Sequence, residues 1–122
     1  MLSYGVPKIL TPAFARGTDR LMELSTRFAA DIYVNIQGDE PLLRPRAIDD
    51  LINTHWMKMQ SESNPMVATL CYEVDAESAL NPNLVKVVCD DKGNALYFSR
   101  CRIPYDRDGD EKISYLGHIG VY

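Results

Sequence analysis

The stretch Asp31-Ile-Tyr-Val-Asn-Ile-Gln-Gly-Asp-Glu-Pro41 decides the fold that we predict for this chain. Residues 32–36 are a nearly continuous β-branched and aromatic run, which is typical of a strand buried on both faces of a sheet. A glycine and a proline then bracket two carboxylates, so the chain leaves the sheet and presents Asp39 and Glu40 just past the strand's carboxyl end. In open α/β sheets, ligands bind at that position.

Two interpretations of this acidic turn are open. Asp and Gly form turns for purely conformational reasons, so Asp39 and Glu40 can be solvated turn residues. Alternatively, a carboxylate at a strand end holds Mg²⁺, which proteins usually bind through one or two carboxylates plus substrate phosphates. The turn alone does not decide between them.

Length, composition and charge bound the class of protein. A chain of 122 residues corresponds to one domain, with 46% hydrophobic and 25% charged residues as in ordinary globular proteins. The net charge of −4 argues against a general nucleic-acid binder, because duplex affinity comes from Lys and Arg. No apolar run approaches the roughly 20 residues needed to span a bilayer, and no signal peptide is evident, so we expect no membrane association.

The cysteines favour a reducing compartment. There are three of them with no CxxC spacing, which supports neither a disulfide framework nor a zinc site. Cys71 and Cys89 lie in apolar runs, where we expect buried, inert thiols. A cytoplasmic location fits this composition.

Two helices are predicted on either side of the central stretch. From Gly17 the apolar residues follow helical spacing, with Thr18 as a candidate cap, and the free N–H groups of this helix start could meet an anion. An ordinary capped helix explains the same pattern. A second helix starts at Pro45, and its apolar face comprises Ile48, Leu51, Ile52, Trp56 and Met59.

The remaining segments alternate between strands and turns. We predict a short strand at Lys8–Leu10, a parallel strand at Met66–Tyr72, one or two helical turns at Asp75–Leu80, strands at Leu84–Cys89 and Ala95–Ser99, and a last strand within Ser114–Tyr122. Residues 90–94 carry a strong hairpin signal, while residues 100–112 form a charged loop. The strand, helix and strand from residue 32 to 72 make a right-handed βαβ unit. The predicted fold is therefore α/β, a mostly parallel open sheet with an antiparallel hairpin extension.

Six segments together resemble the CMP-Kdo synthetases, the cytidylyltransferases that activate 3-deoxy-D-manno-octulosonate (Kdo). They occur in the order and at about the spacing of that family, and they are Gly17-Thr-Asp-Arg20, Val34-Asn-Ile-Gln-Gly-Asp-Glu-Pro41, Asn81-Pro-Asn-Leu-Val-Lys-Val-Val88, Ala95-Leu-Tyr-Phe-Ser-Arg100, Ile103-Pro-Tyr-Asp-Arg107 and His118-Ile-Gly-Val-Tyr122. The resemblance implies a nucleotide-diphospho-sugar transferase-like, Rossmann-like fold.

The resemblance also implies a reaction and a set of residues. The reaction is a Mg²⁺-dependent transfer of a cytidylyl group from CTP to Kdo, which releases pyrophosphate. The residues carried over from the family motifs are Asp39 as the catalytic magnesium ligand, Gly17, Thr18 and Arg20 at the nucleotide, and Gln37, His118 and Tyr122 at the sugar. Arg100 and Arg107 match as well, and either substrate contact or pairing with carboxylates explains them.

Segments of the family on both sides of the match have no counterpart in this sequence. We therefore expect residues 1–122 to be a single partial cytidylyltransferase domain, truncated at both ends and inactive alone, and we expect a homodimer. Two rival functions remain. One is another CMP-sugar synthetase, such as one for a sialic acid, and the other is a non-catalytic binding or assembly module on the same scaffold.

Overall fold

The computed structural model describes residues 9–61, 67–109 and 113–122, which fall into two compact units, Met1–Asn35 and Ile36–Tyr122. The described helices and strands are α1 (Gly17–Arg27), α2 (Pro45–Ser61), β1 (Leu70–Val74), a 3₁₀ turn (Ser78–Leu80), β2 (Lys86–Cys89), β3 (Ala95–Ser99) and β4 (Tyr115–Ile119). No helix in these ranges is both long and apolar enough to cross a bilayer. A single partial domain stays a prediction.

Helix α1 forms in the first unit where its apolar spacing predicted it. It begins after Arg16, whose backbone is extended, and it ends where the Phe28 N–H donates to the carbonyl of Leu24 at 3.0 Å. Thr18 lies inside the first turn and does not cap the helix, so that prediction is wrong. The N-cap is Arg16, two residues before Thr18, and it makes no side-chain hydrogen bond to the helix.

The central strand predicted over residues 32–36 is reduced to one bridge, between Ile36 and Val121, and that bridge is antiparallel. An apolar run favours burial, but a strand exists only where a second strand supplies hydrogen bonds. In the described part of the chain, only Ile36 of this run has such a partner. Of the strand predicted at Lys8–Leu10, Lys8 lies outside the described residues, and Ile9 and Leu10 are not in a strand.

The second unit holds a four-stranded sheet with the order β1-β4-β2-β3. Every pairing among these four strands is antiparallel, so the α/β class is confirmed but a mostly parallel sheet is not. The predicted parallel strand became β1, which pairs with β4 in the register Leu70 to Ile119 through Val74 to Tyr115. The last strand of the chain thus inserts between β1 and β2, and hydrophobic periodicity reports neither the neighbour nor the direction of a strand.

The hairpin prediction is confirmed. Strands β2 and β3 pair from Lys86 and Ser99 onward, and Gly93 in the connecting turn has φ of 78°. The Asp90 carboxylate accepts hydrogen bonds from the backbone N–H groups of Lys92 at 2.9 Å and Asn94 at 2.7 Å. The turn is therefore held by residues next to one another in sequence, which is why the sequence could predict it.

The core is small and centres on β4. Its buried apolar side chains among the described residues are Leu51, Ala79, Val87, Tyr115 and Val121. The prediction of buried thiols is wrong for Cys71, which is exposed, whereas Cys89 is half-buried. Burial raises the pKa of the Cys89 thiol.

Candidate functional site

The acidic turn, residues 37–40, is held against the carboxyl end of β4 within the second unit. The Gln37 N–H donates to the Gly120 carbonyl at 3.3 Å, next to the bridge between Ile36 and Val121. In return, the Gly120 N–H donates to Oε1 of Glu40 at 2.9 Å. Two hydrogen bonds to Gly120 therefore fix a turn that lies about 80 residues earlier in the chain.

Gly120 lets the turn come this close. A Cβ atom at this position would lie 3.3 Å from Glu40 Oε1 and 3.4 Å from Gln37 Cδ. The first distance is tighter than ordinary side-chain packing and the second is at its limit, so a larger residue would displace the ends of these two side chains by a few tenths of an ångström. Sequence reasoning missed this role of Glu40, and its only signal was the place of Glu40 in the acidic turn.

Asp39 is the free carboxylate of the turn. It is exposed, and it makes no hydrogen bond or ion pair to another described residue, whereas Glu40 is engaged with Gly120. No group of three or more His, Cys, Asp or Glu suited to a metal ion occurs within residues 9–61, 67–109 and 113–122. A single unengaged carboxylate fits Mg²⁺, because substrate phosphates usually complete its coordination.

A second cluster surrounds His118 on β4. Nε2 of His118 lies 2.9 Å from Oγ1 of Thr69, and the ring meets Phe98 edge-on with centroids 5.0 Å apart. The ring of Tyr122 also contacts this imidazole, and the two ring centroids are 5.5 Å apart. Burial lowers the pKa of His118, and the nearby negative charge of Glu40 partly opposes this effect. Sequence reasoning missed Thr69, which belongs to none of the six segments, and it gave no role to Phe98, although Phe98 lies within the segment Ala95–Arg100.

The structure brings the predicted sugar-binding residues together. Gln37, His118 and Tyr122 all lie around Gly120, and the acidic turn with Asp39 belongs to the same unit. The predicted nucleotide-binding residues Gly17, Thr18 and Arg20 lie exposed in the first turns of α1, in the other unit. Their role stays a prediction.

The two family arginines make local contacts. Nη1 of Arg100 donates to the carbonyl of Pro82 at 2.9 Å, and no ion pair joins Arg100 to a carboxylate within residues 9–61, 67–109 and 113–122. Nε of Arg107 lies 3.6 Å from Oδ1 of Asp108, and both side chains are exposed. An exposed pair of this kind contributes little to stability.

The acidic turn and the end of β4 thus bring a carboxylate, a half-buried imidazole and an amide into one unit, and these are polar groups of the kind that orient a small ligand. The chain belongs to the cytidylyltransferase family, whose model matches residues 9–122.

Individual proteins with similar sequences are cytidylyltransferases as well. The chain is 47% identical over 106 residues to the 3-deoxy-manno-octulosonate cytidylyltransferase of Escherichia coli. This match covers 87% of the present chain and 41% of the E. coli protein. It is 46% identical to the enzyme of the same name from Koribacter versatilis, over 87% of this chain and 38% of the relative. The chain thus spans less than half the length of these curated relatives.

A solved structure is similar as well. It is a CMP:2-keto-3-deoxy-manno-octonic acid synthetase complexed with CTP, and it matches with a TM-score of 0.78 and 45% sequence identity. The match covers 88% of this chain and 43% of that one. The likeness therefore includes both the sequence and the three-dimensional arrangement of the matched region.

Proposed function

We propose that this chain supplies part of the site of an enzyme that transfers a cytidylyl group from CTP to Kdo, giving CMP-Kdo and pyrophosphate for lipopolysaccharide biosynthesis. The observation that supports the proposal is the double hydrogen bond between Gly120 and the acidic turn, residues 37–40, which includes Asp39; Gly120 lies between His118 and Tyr122 in the chain. The similarity to a synthetase complexed with CTP supports the same activity.

Each residue then has a chemical task. Asp39 would hold Mg²⁺, and a bound magnesium ion supplies neutralisation of phosphate charge. The amide of Gln37 and the imidazole of His118 hydrogen-bond to the sugar acid, and they orient its anomeric hydroxyl for attack on the α-phosphorus. Arg20 and the N–H groups at Gly17 and Thr18 are suited to a polyanion such as the triphosphate.

The test starts with CTP binding. In calorimetry, Mg²⁺ is expected to strengthen CTP binding to the wild-type chain, and Asp39→Asn should remove this enhancement because the amide carries no charge. Asp91→Asn, in the exposed hairpin turn, is the matched control and should behave as wild type. With the product of the complete reading frame, a pyrophosphate-release assay with CTP and Kdo should show turnover that Asp39→Asn lowers by roughly 100-fold.

Other outcomes favour the rivals. No detectable CTP binding by a folded sample would favour a non-catalytic binding or assembly module. Faster turnover with a sialic acid than with Kdo would assign the enzyme to another CMP-sugar synthetase class. If Mg²⁺ still strengthens CTP binding to Asp39→Asn, the role of Asp39 as magnesium ligand is contradicted, while the other parts of the proposal are unaffected.

We further propose that the protein is a cytoplasmic homodimer. Strand β3 is an edge strand with large exposed side chains, Leu96, Tyr97 and Phe98, which are 67%, 61% and 41% exposed. Exposed apolar edge strands tend to associate with a second chain. Size-exclusion chromatography with light scattering should give twice the monomer mass, and a strict monomer at high concentration would rule the dimer out.

A further inference from the structure

Thr69 is hydrogen-bonded to three groups within residues 118–121, at the end of β4 and just after it. Its Oγ1 lies 2.6 Å from the carbonyl oxygen of Val121, 3.2 Å from that of Ile119 and 2.9 Å from Nε2 of His118. A threonine hydroxyl has one hydrogen to donate and two lone pairs that accept. Carbonyl oxygens can only accept, so the hydroxyl hydrogen is directed to them, and the nearer one is Val121 O.

The direction of this bond determines the state of the imidazole. With its hydrogen committed to a carbonyl, Thr69 Oγ1 can interact with Nε2 of His118 only as an acceptor, which requires a proton on Nε2. Burial lowers the pKa of His118, so the ring is mainly neutral near pH 7. A neutral imidazole with its proton on Nε2 has a free lone pair on Nδ1.

The ring is also restrained in its orientation. The imidazole and the ring of Phe98 meet edge-on with an interplanar angle of 76°. The imidazole and the ring of Tyr122 are tilted, with an interplanar angle of 46°. No described residue makes a hydrogen bond to Nδ1 of His118, so this acceptor is unengaged in residues 9–61, 67–109 and 113–122.

We propose that Thr69 is a positioning residue that holds His118 as the Nε2–H tautomer, so that Nδ1 accepts a hydrogen bond from a hydroxyl group of a polyhydroxylated ligand. A neutral acceptor nitrogen repels a carboxylate, and His118 therefore recognises a hydroxyl and not the acid group of a sugar acid. The identity of that ligand as a sugar acid rests on the proposed function; the tautomer does not.

The first experiment measures the tautomer directly. Long-range ¹H–¹⁵N correlation spectra of the ligand-free 122-residue chain near pH 7.5 distinguish the protonated from the unprotonated ring nitrogen of His118. Wild type and Thr69→Ser, which keeps the hydroxyl, are expected to show the Nε2–H form. Thr69→Val, which replaces the hydroxyl with a methyl group, should show a mixture of both tautomers.

Two results would overturn the proposal. One is the Nδ1–H tautomer in wild type, and the other is a folded Thr69→Val variant with an unchanged tautomer. If Thr69→Val fails to fold, as judged by its amide spectrum, Thr69→Ala removes the same hydroxyl, and an unchanged tautomer in that variant would overturn the proposal.

The second experiment separates this inference from the proposed function. In the product of the complete reading frame, Thr69→Val should raise KM for Kdo roughly tenfold and leave KM for CTP unchanged, and Thr69→Ser should restore the wild-type value. An unchanged KM for Kdo in Thr69→Val contradicts the positioning role. If no variant turns over Kdo while the tautomer follows the prediction, the proposed substrate fails and the role of Thr69 stands.

Discussion

Replacing Lys86 with methionine is expected to lower the free energy of unfolding by about 3 kcal/mol. Lys86 is fully buried, and its ammonium group donates to the carbonyl oxygens of Asn81 at 2.9 Å, Leu84 at 2.8 Å and Arg100 at 2.6 Å. It therefore connects the loop before β2 to the end of β3. Methionine retains much of the apolar stem but leaves three carbonyl oxygens without this donor.

Two effects oppose each other in this variant. Each carbonyl that loses a buried donor costs about 1–3 kcal/mol, while the removal of a buried charge relieves a desolvation penalty of several kcal/mol. The loss should dominate, because three charge-assisted hydrogen bonds converge on one ammonium group and already compensate its burial.

The measurement is urea unfolding followed by circular dichroism, which gives the unfolding free energy of each variant. Lys92→Met is the matched control, because Lys92 lies in the exposed hairpin turn, and it should stay within about 0.5 kcal/mol of wild type. If Lys86→Met and Lys92→Met unfold at the same denaturant concentration, the buried ammonium does not hold these segments together.

Replacing Tyr115 with alanine is expected to cost about 3–5 kcal/mol, the range for removing a large buried aromatic side chain. Tyr115 is 1% exposed and is among the largest fully buried side chains that the structure describes. It pairs with Val74 at the start of β4, and the guanidinium of Arg102 lies 5.6 Å from the centre of its ring. The truncation therefore leaves a cavity and removes a cation–π contact.

Tyr115→Phe separates packing from hydrogen bonding at the same position. The buried hydroxyl of Tyr115 has no hydrogen-bond partner among the described residues, so its removal should change stability by less than about 1 kcal/mol. Thermal and urea unfolding of both variants check this. A Phe variant as unstable as the Ala variant would show that the hydroxyl, and not the ring, anchors β4.

Both variants act on the strand that carries the candidate site. Lys86 pairs with Gly117 of β4, and Tyr115 lies three residues before His118. A loss of activity in Lys86→Met or Tyr115→Ala would thus reflect a displaced strand. Thr69→Val and Asp39→Asn are the informative variants for binding and chemistry, because both keep the size and shape of the side chain nearly unchanged.

Much of the local structure could be predicted because its determinants are close together in the chain. The start of α2 at Pro45, the apolar spacing of α1 and the glycine in the hairpin each act within a few residues. The resemblance of the six motifs likewise led to the cytidylyltransferase family, which the family match confirms. A motif is a local property, even when its residues meet elsewhere in the fold.

Partners that are far apart in sequence could not be predicted in this way. Glu40 and Gly120 are 80 residues apart, and Thr69 and His118 are 49 residues apart, yet these two contacts organise the candidate site. The same reason explains the error about the sheet, because nothing in the apolar run of β1 indicated β4 as its antiparallel neighbour.

The sequence alone determined the α/β class, the two helices, the hairpin and the family, since these follow from residue order over short distances or from motifs. Only the tertiary structure decided that the sheet described here is antiparallel, that Glu40 ties the acidic turn to β4 and that Thr69 meets His118. Hydrogen bonds join atoms that are close in space, and the chain brings such atoms together only once it has folded.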